Sequence, residues 1–235
     1  MTLAQGFKNL LLSLMLPAQG WAMGEYSDAR GTVNPNTNAS GGGTSDSPSA
    51  GESDAPGILT HFTGTTSATA GRQTIYGTSA DPETILLGGA RYLTTHRVRV
   101  PALSTGSEQF TVLYGFWAGS AIQIGNNSGV YFRYTEAENA GNWTCVCSNS
   151  GTATTADSGV PVVAGDWFKL EIDISADGSQ AIFLINGAIV ATITTNLPTV
   201  GVRFLCQRIK KSVGTGDRTT QIDTHALRYE MATPR

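Results

Sequence analysis

DWFKLEIDISADGSQAIFLINGAIVATI, residues 166–193, spells out three short strands and two turns. Phe168, Leu170, Ile172 and Ile174 fall on one face of an extended chain, and Lys169, Glu171 and Asp173 on the other. That is the period-two alternation of a half-buried strand. Asp177-Gly178 interrupts the run, Ala181–Ile185 resumes it, and Asn186-Gly187 leads into Ala188–Ile193. Asn-Gly between two hydrophobic runs is a strong hairpin signal, because both residues tolerate positive φ. An antiparallel meander follows.

Outward from this stretch the composition agrees. The chain has 235 residues, 28 of them glycine, and only 14% are charged, below the usual quarter of a globular protein. Short apolar runs separated by turn residues recur after residue 58. The expected strands are 59–65, 74–77, 92–100, 109–116, 121–124, 130–134, 143–147, 167–174, 181–185, 189–194, 201–207 and 220–229. About a dozen strands with short connections predict an all-β, two-sheet antiparallel sandwich, with a jelly roll the usual solution. A net charge of −3 carries no polyanion-binding signature, so no nucleic-acid partner is expected. The basic cluster Arg208, Lys210 and Lys211 reads as a solvated turn.

The cysteines argue against a disulfide framework. Cys145 and Cys147 stand two apart on an expected strand, sharing a face but badly placed for bridging each other. Buried free thiols are expected. His61, His96 and His225 lack ligand spacing, so neither a metal nor a cofactor is expected.

The order of features from 58 to 230 resembles the concanavalin A-like lectin/glucanase superfamily, above all its laminin-G-like branch. The resemblance rests on Trp167 opening a strand, on Lys169–Ile174, on the Asp177-Gly178 turn and on Phe183-Leu184-Ile185-Asn186-Gly187. Ile222-Asp223 ahead of Ala226-Leu227-Arg228-Tyr229 fits the closing strand of such domains. The resemblance implies a jelly roll. It leaves function open, since such domains occur in sugar-binding proteins, in glycoside hydrolases and as decorations, fibres and spikes of tailed-phage particles.

Glu171 and Asp173 invite comparison with the catalytic strand of family-16-type glucanases, which resembles E-x-D-x-(x)-E. Retaining hydrolysis needs two carboxyl groups about 5–5.5 Å apart. Here Ser175 and Ala176 stand where the third acid should be, and the pair is explained as the polar face of an amphipathic strand. Glu136 and Glu138 read as a polar hairpin tip. No enzymatic activity is expected. For sugar binding, Trp117, Trp143, Tyr131 and Tyr134 offer faces for stacking, and Asn126, Asn127 and Asn142 offer hydrogen bonds. The same aromatics also suit a sandwich core. Trp117, Trp143, Asn126 and Asn142 are the candidate sugar-binding set.

The first 57 residues differ in kind. Leu3, Phe7, Leu10, Leu11 and Leu14 form one apolar stripe at helical spacing, and Pro17 would end the helix. A secretory signal, with Lys8 ahead of Leu10–Leu16 and Ala22 near a cleavage point, is the competing reading. A docking helix over 1–20 is preferred, and the stripe is too short to span a membrane. Residues 21–57 are Gly/Ser/Pro/Asp-rich and read as an extended arm lying along neighbouring subunits, with 58–235 as the β-sandwich domain. An arm beside a compact β domain suits an attached structural role, and the family resemblance implies the setting: a non-enzymatic virion protein assembled in the host cytoplasm. It would be a phage head-decoration or tail/fibre accessory, homo-oligomeric, held to capsid or tail proteins through residues 1–57. The alternative is a module recognising a host-surface glycan. A secreted glycan hydrolase is the weakest reading.

Overall fold

A computed structural model of the chain describes residues 21–28, 36–40, 42–45, 52, 55, 57–75, 85–118 and 128–231. Fifteen strands run through them in chain order. They are β1 (Trp21–Asp28), β2 (Asn36–Ser40), β3 (Thr44–Ser45), β4 (Leu59–Phe62), β5 (Gly71–Ile75), β6 (Ala90–Arg99), β7 (Gln109–Trp117) and β8 (Gly129–Tyr134). Then come β9 (Asn142–Asn149), β10 (Thr152–Pro161), β11 (Trp167–Ile174), β12 (Ala181–Ile185), β13 (Ala188–Ile193), β14 (Arg203–Val213) and β15 (Thr219–Met231). The only helix among the described residues is a single 3-10 turn at Asn139–Gly141, and none is long and apolar enough to cross a membrane.

Two antiparallel sheets result. One has the order β13-β12-β11-β6-β15-β4-β3, with β1 also paired to β15; the other is β10-β9-β8-β7-β14-β5-β2. The meander at 166–193 forms as its pattern requires. Phe168, Leu170, Ile172 and Ile174 are buried and Lys169 is exposed. Asn186 and Gly187 take φ of 52° and 83°, the left-handed values of a tight hairpin. The sheets meet through aromatic edges. Phe132 of β8 packs on Phe183 of β12 at 5.2 Å between ring centroids, and Trp143 of β9 on Phe168 of β11 at 5.8 Å.

Toward β4 and β5 the interior turns polar. His61 bonds Thr74 across the sheets at 2.7 Å, His96 bonds Thr94 at 2.6 Å, and the Tyr114 hydroxyl meets that of Thr220. All six side chains are buried. Burial removes water from the ionised form, and it holds both His61 and His96 down at a pKa of about 3; Arg72 adds to the effect at the first and His225 at the second. Cys145 and Cys147 are buried free thiols of β9, and desolvation pushes the Cys147 thiol up to about 12.

Three expectations need correction. Arg208, Lys210 and Lys211 stand inside β14, and Arg208 and Lys211 are buried. The Lys211 ammonium is satisfied there by donating to the carbonyls of Gly64 at 2.6 Å and Gly216 at 3.3 Å. Strand β10, in TATTADSGVP, went unpredicted because its residues are small and polar; it adds to the edge of the sheet by backbone pairing with β9. The described part of the 21–57 segment lies along the chain's own sheets. There β1 pairs with β15, β2 with β5 and β3 with β4. Strand addition satisfies exposed backbone edges without demanding apolar side chains, so composition alone does not announce it. Gly43 allows the approach, since a Cβ there would sit 2.3 Å from the Gly71 carbonyl oxygen. The candidate helix at 1–20, with Leu3, Phe7, Leu10, Leu11 and Leu14, lies outside the described residues, as does the expected strand at 121–124.

Candidate functional site

The described members of the sequence-derived sugar set do not come together. Trp143 is wholly inside the core, ringed by Phe132, Tyr134, Tyr114 and Phe168. Trp117 lies on the opposite face of the same sheet, 1% exposed, with Tyr131 edge-on at 5.0 Å and the Arg208 guanidinium carbon 4.3 Å from its ring centroid. Asn142 opens β9 and gives its amide to both carboxylate oxygens of Asp157, at 3.1 and 3.3 Å. Tyr131 and Tyr134 are buried, and desolvation raises the Tyr131 phenol to about 12. Asn126 and Asn127 lie outside the described residues.

Neither carboxylate pair is arranged as an acid and a nucleophile. Asp173 receives a two-pronged guanidinium from Arg91, with Nε to Oδ1 at 2.9 Å and Nη2 to Oδ2 at 2.6 Å. Glu171 is held by Lys169 Nζ at 2.8 Å and by the Thr95 hydroxyl at 3.4 Å. In the other pair Glu138 takes the Arg133 guanidinium at 2.7 Å, while Glu136 is exposed. No group of three or more His, Cys, Asp or Glu side chains among the described residues could hold a metal ion.

An open site exists elsewhere, on the outer face of the β11, β6 and β15 strands. The alternation that buries Phe168 turns Trp167 outward with Lys169. Register places Trp167 opposite Arg99 and Lys169 opposite Arg97, with Thr224 beyond Arg97 on β15. A depression of about 440 Å³ opens here, lined by Thr95, Arg97, Trp167, Phe168, Lys169, Asn186 and Thr224. Its volume falls in the range of small-molecule sites. The hairpin fixes the rim. Asn186 accepts the Lys169 backbone N–H on Oδ1 at 2.9 Å, and its own N–H donates to the Lys169 carbonyl at 2.8 Å.

Trp167 is half-buried, and the Arg97 and Arg99 guanidinium carbons lie 4.7 and 4.4 Å from its ring centroid. Both positions are within cation–π reach. Arg97 Nη1 also bonds Asp223 at 2.8 Å, and Arg99 Nε bonds Gln221 at 2.7 Å. One carboxylate arrives from far away in sequence. Glu52 accepts the Trp167 indole N–H at 3.1 Å on one oxygen and the Arg99 Nη1–H at 2.6 Å on the other. Sequence reasoning used Trp167 only to open a strand. The signal was present: a large aromatic at the head of an outward row that continues with Lys169, Glu171 and Asp173.

With this geometry in place, comparison with known proteins is informative about family and fold. The family model described as "SO2946-like, C-terminal domain" matches residues 54–223. No curated protein sequence matches the chain. Among solved structures, an endo-β-1,4-glucuronan lyase from the fungus Trichoderma reesei superposes with a TM-score of 0.61 at 11% identity, covering 88% of this chain and 95% of that one. The Emp47p carbohydrate recognition domain gives 0.57 at 11% identity, over 93% and 100%. An endo-1,3-β-glucanase from Streptomyces sioyaensis gives 0.57 at 9% identity, over 92% and 99%. These neighbours are carbohydrate-binding and glycan-degrading proteins of the concanavalin A-like jelly roll, and at such identities the likeness is one of fold. The expected jelly roll is the fold observed.

Proposed function

The chain belongs to the SO2946-like C-terminal domain family, and from that premise we propose that it is a non-enzymatic glycan-recognition module binding through the Trp167 depression. The observation that carries this reading is an outward indole in an open, sugar-sized hollow rimmed by hydrogen-bonding Lys169, Asn186, Thr95 and Thr224. Such hollows combine an apolar platform with a few polar groups that fix orientation. The carbohydrate-binding character of the fold neighbours supports it. The pairing of Glu171 with Lys169, and of Asp173 with Arg91, favours binding over hydrolysis on this strand.

The test is a glycan array probed with the full chain and with Trp167→Ala. Truncating a central tryptophan anchor typically weakens binding by an order of magnitude or more. A Trp167→Ala chain that keeps its melting temperature and its glycan signal would refute the assignment.

The module's setting is the second part of the proposal. We place it on a virus particle as a head-decoration or tail/fibre accessory, attached to capsid or tail proteins through a docking helix at residues 1–20 and displayed in several copies. Multiple copies would convert modest single-site affinity into avidity. The supporting observation is the apolar stripe of Leu3, Phe7, Leu10, Leu11 and Leu14 ahead of the sandwich. Particles assembled with a chain lacking residues 1–20 should lose the protein, and normal incorporation would overturn the placement.

A further inference from the structure

At the edge of the depression Trp167 is already engaged by an anion, and that anion belongs to the chain itself. Glu52 lies 115 residues before Trp167 in sequence. A backbone bridge to Ala55 positions it, with Glu52 and Ala55 exchanging hydrogen bonds of 3.4 and 3.1 Å and Ala55 fully buried. From there the carboxylate spans two donors of different kinds. One oxygen takes the indole N–H of Trp167 and the other takes Nη1–H of Arg99. The Arg99 guanidinium is itself held in orientation by Gln221 and stacked on the indole. The indole N–H and the guanidinium thus form a preorganised fork whose shape matches one carboxylate.

We propose that this fork is the recognition element for an acidic sugar, and that Glu52 is a built-in competitor for it. The proposal rests on the Trp167 depression being the glycan site, and names its ligand class and its regulation. On a glycan the group equivalent to the Glu52 carboxylate is the carboxylate of a uronate residue. Such a residue would replace Glu52 on Trp167 Nε1 and Arg99 Nη1, while its neighbour along the glycan enters the depression beside Lys169 and Asn186. Exchange is feasible because the Glu52 side chain is 38% exposed at the fork, so water and ligand reach the carboxylate being displaced. Displacement would release the Glu52 side chain from Trp167 and Arg99.

The experiment is a calorimetric titration of the full-length chain with a β-linked glucuronate oligosaccharide and with the glucose oligosaccharide of the same length. Wild type, Glu52→Gln, Asp173→Asn and Trp167→Ala are compared. A contact that occupies the fork nine-tenths of the time lowers apparent affinity about tenfold. Glu52→Gln should therefore bind the glucuronate oligomer about tenfold more tightly than wild type, with its affinity for the glucose oligomer unchanged. Asp173→Asn removes an equal charge from the same outward row of β11, six residues along, and should leave both affinities near wild type. An equal gain in Asp173→Asn would reduce the effect to net charge and overturn the proposal. So would an equal gain for the glucose oligomer, or no gain at all in Glu52→Gln. If Trp167→Ala loses glucose-oligomer binding while Glu52→Gln leaves the glucuronate affinity unmoved, glycan recognition stands and the acidic-sugar fork falls. If no variant binds either oligomer, both fall together.

Discussion

Lowering the pH from 8 to 5 should destabilise this protein by about 4 kcal/mol through two side chains, His61 and His96. Both are buried between the sheets, each bonded to a threonine hydroxyl, and each stays neutral in the folded chain down to a pKa of about 3. In the unfolded chain both titrate near 6.5. Between those values the unfolded state binds more protons, so stability falls as pH drops below 6.5 and levels off only below 3. At pH 5 an unfolded histidine is almost fully protonated and the folded one is not, which amounts to about 2 kcal/mol per ring. The depressed carboxyl of Asp177, at about 2, stays ionised across this window and takes up a proton only below it, so it does not confuse the reading. Urea unfolding at pH 8 and pH 5 measures the difference. With a slope near 3 kcal/mol per molar, the midpoint should move by about 1 M. The double variant His61→Gln, His96→Gln keeps a polar group at each site and should lose most of the pH-dependent drop, whatever its stability at pH 8. A drop as large in the double variant as in wild type would refute the assignment to these two rings. So would a wild-type drop well under 1 kcal/mol.

Three further outcomes follow from the packing. Phe132→Ala removes the aromatic that joins the sheets against Phe183 and should cost about 3–5 kcal/mol in chemical denaturation; a cost under 1 kcal/mol would mean the site collapses or is misplaced. Cys145 and Cys147, buried and held protonated by desolvation, should resist alkylation at pH 8 in the native chain and react in denaturant, as read by peptide mapping. Rapid native labelling at either position would contradict their burial. Gly187→Ala forces a Cβ onto a φ of 83° at the hairpin and should cost about 1–2 kcal/mol, with no effect expected from a neighbouring surface change such as Ile189→Thr.

The strands with alternating large apolar residues were legible because burial imposes a two-residue period on them. Hence β11, β12 and the Asn186-Gly187 turn stand where the pattern puts them. Strands without large apolar residues carry no such signal in sequence: β10 is small and polar, and β1 to β3 sit in sequence that reads as a linker. Parity was informative where residue identity misled. Trp117 and Trp143 attracted a binding role because they are large aromatics, yet both are enclosed. Trp167 is smaller in its claim on sequence, being one residue at the start of a strand, yet the alternation that buries Phe168 requires it to face outward. What parity could not reveal is its partner, since Glu52 meets Trp167 from 115 residues away in sequence. Outward tryptophans on a sheet are normally covered or used. Here the guanidinium groups of Arg97 and Arg99 lie against the ring, and the indole N–H is held by one partly exposed carboxylate, Glu52, the contact that a ligand bearing the same group is proposed to replace.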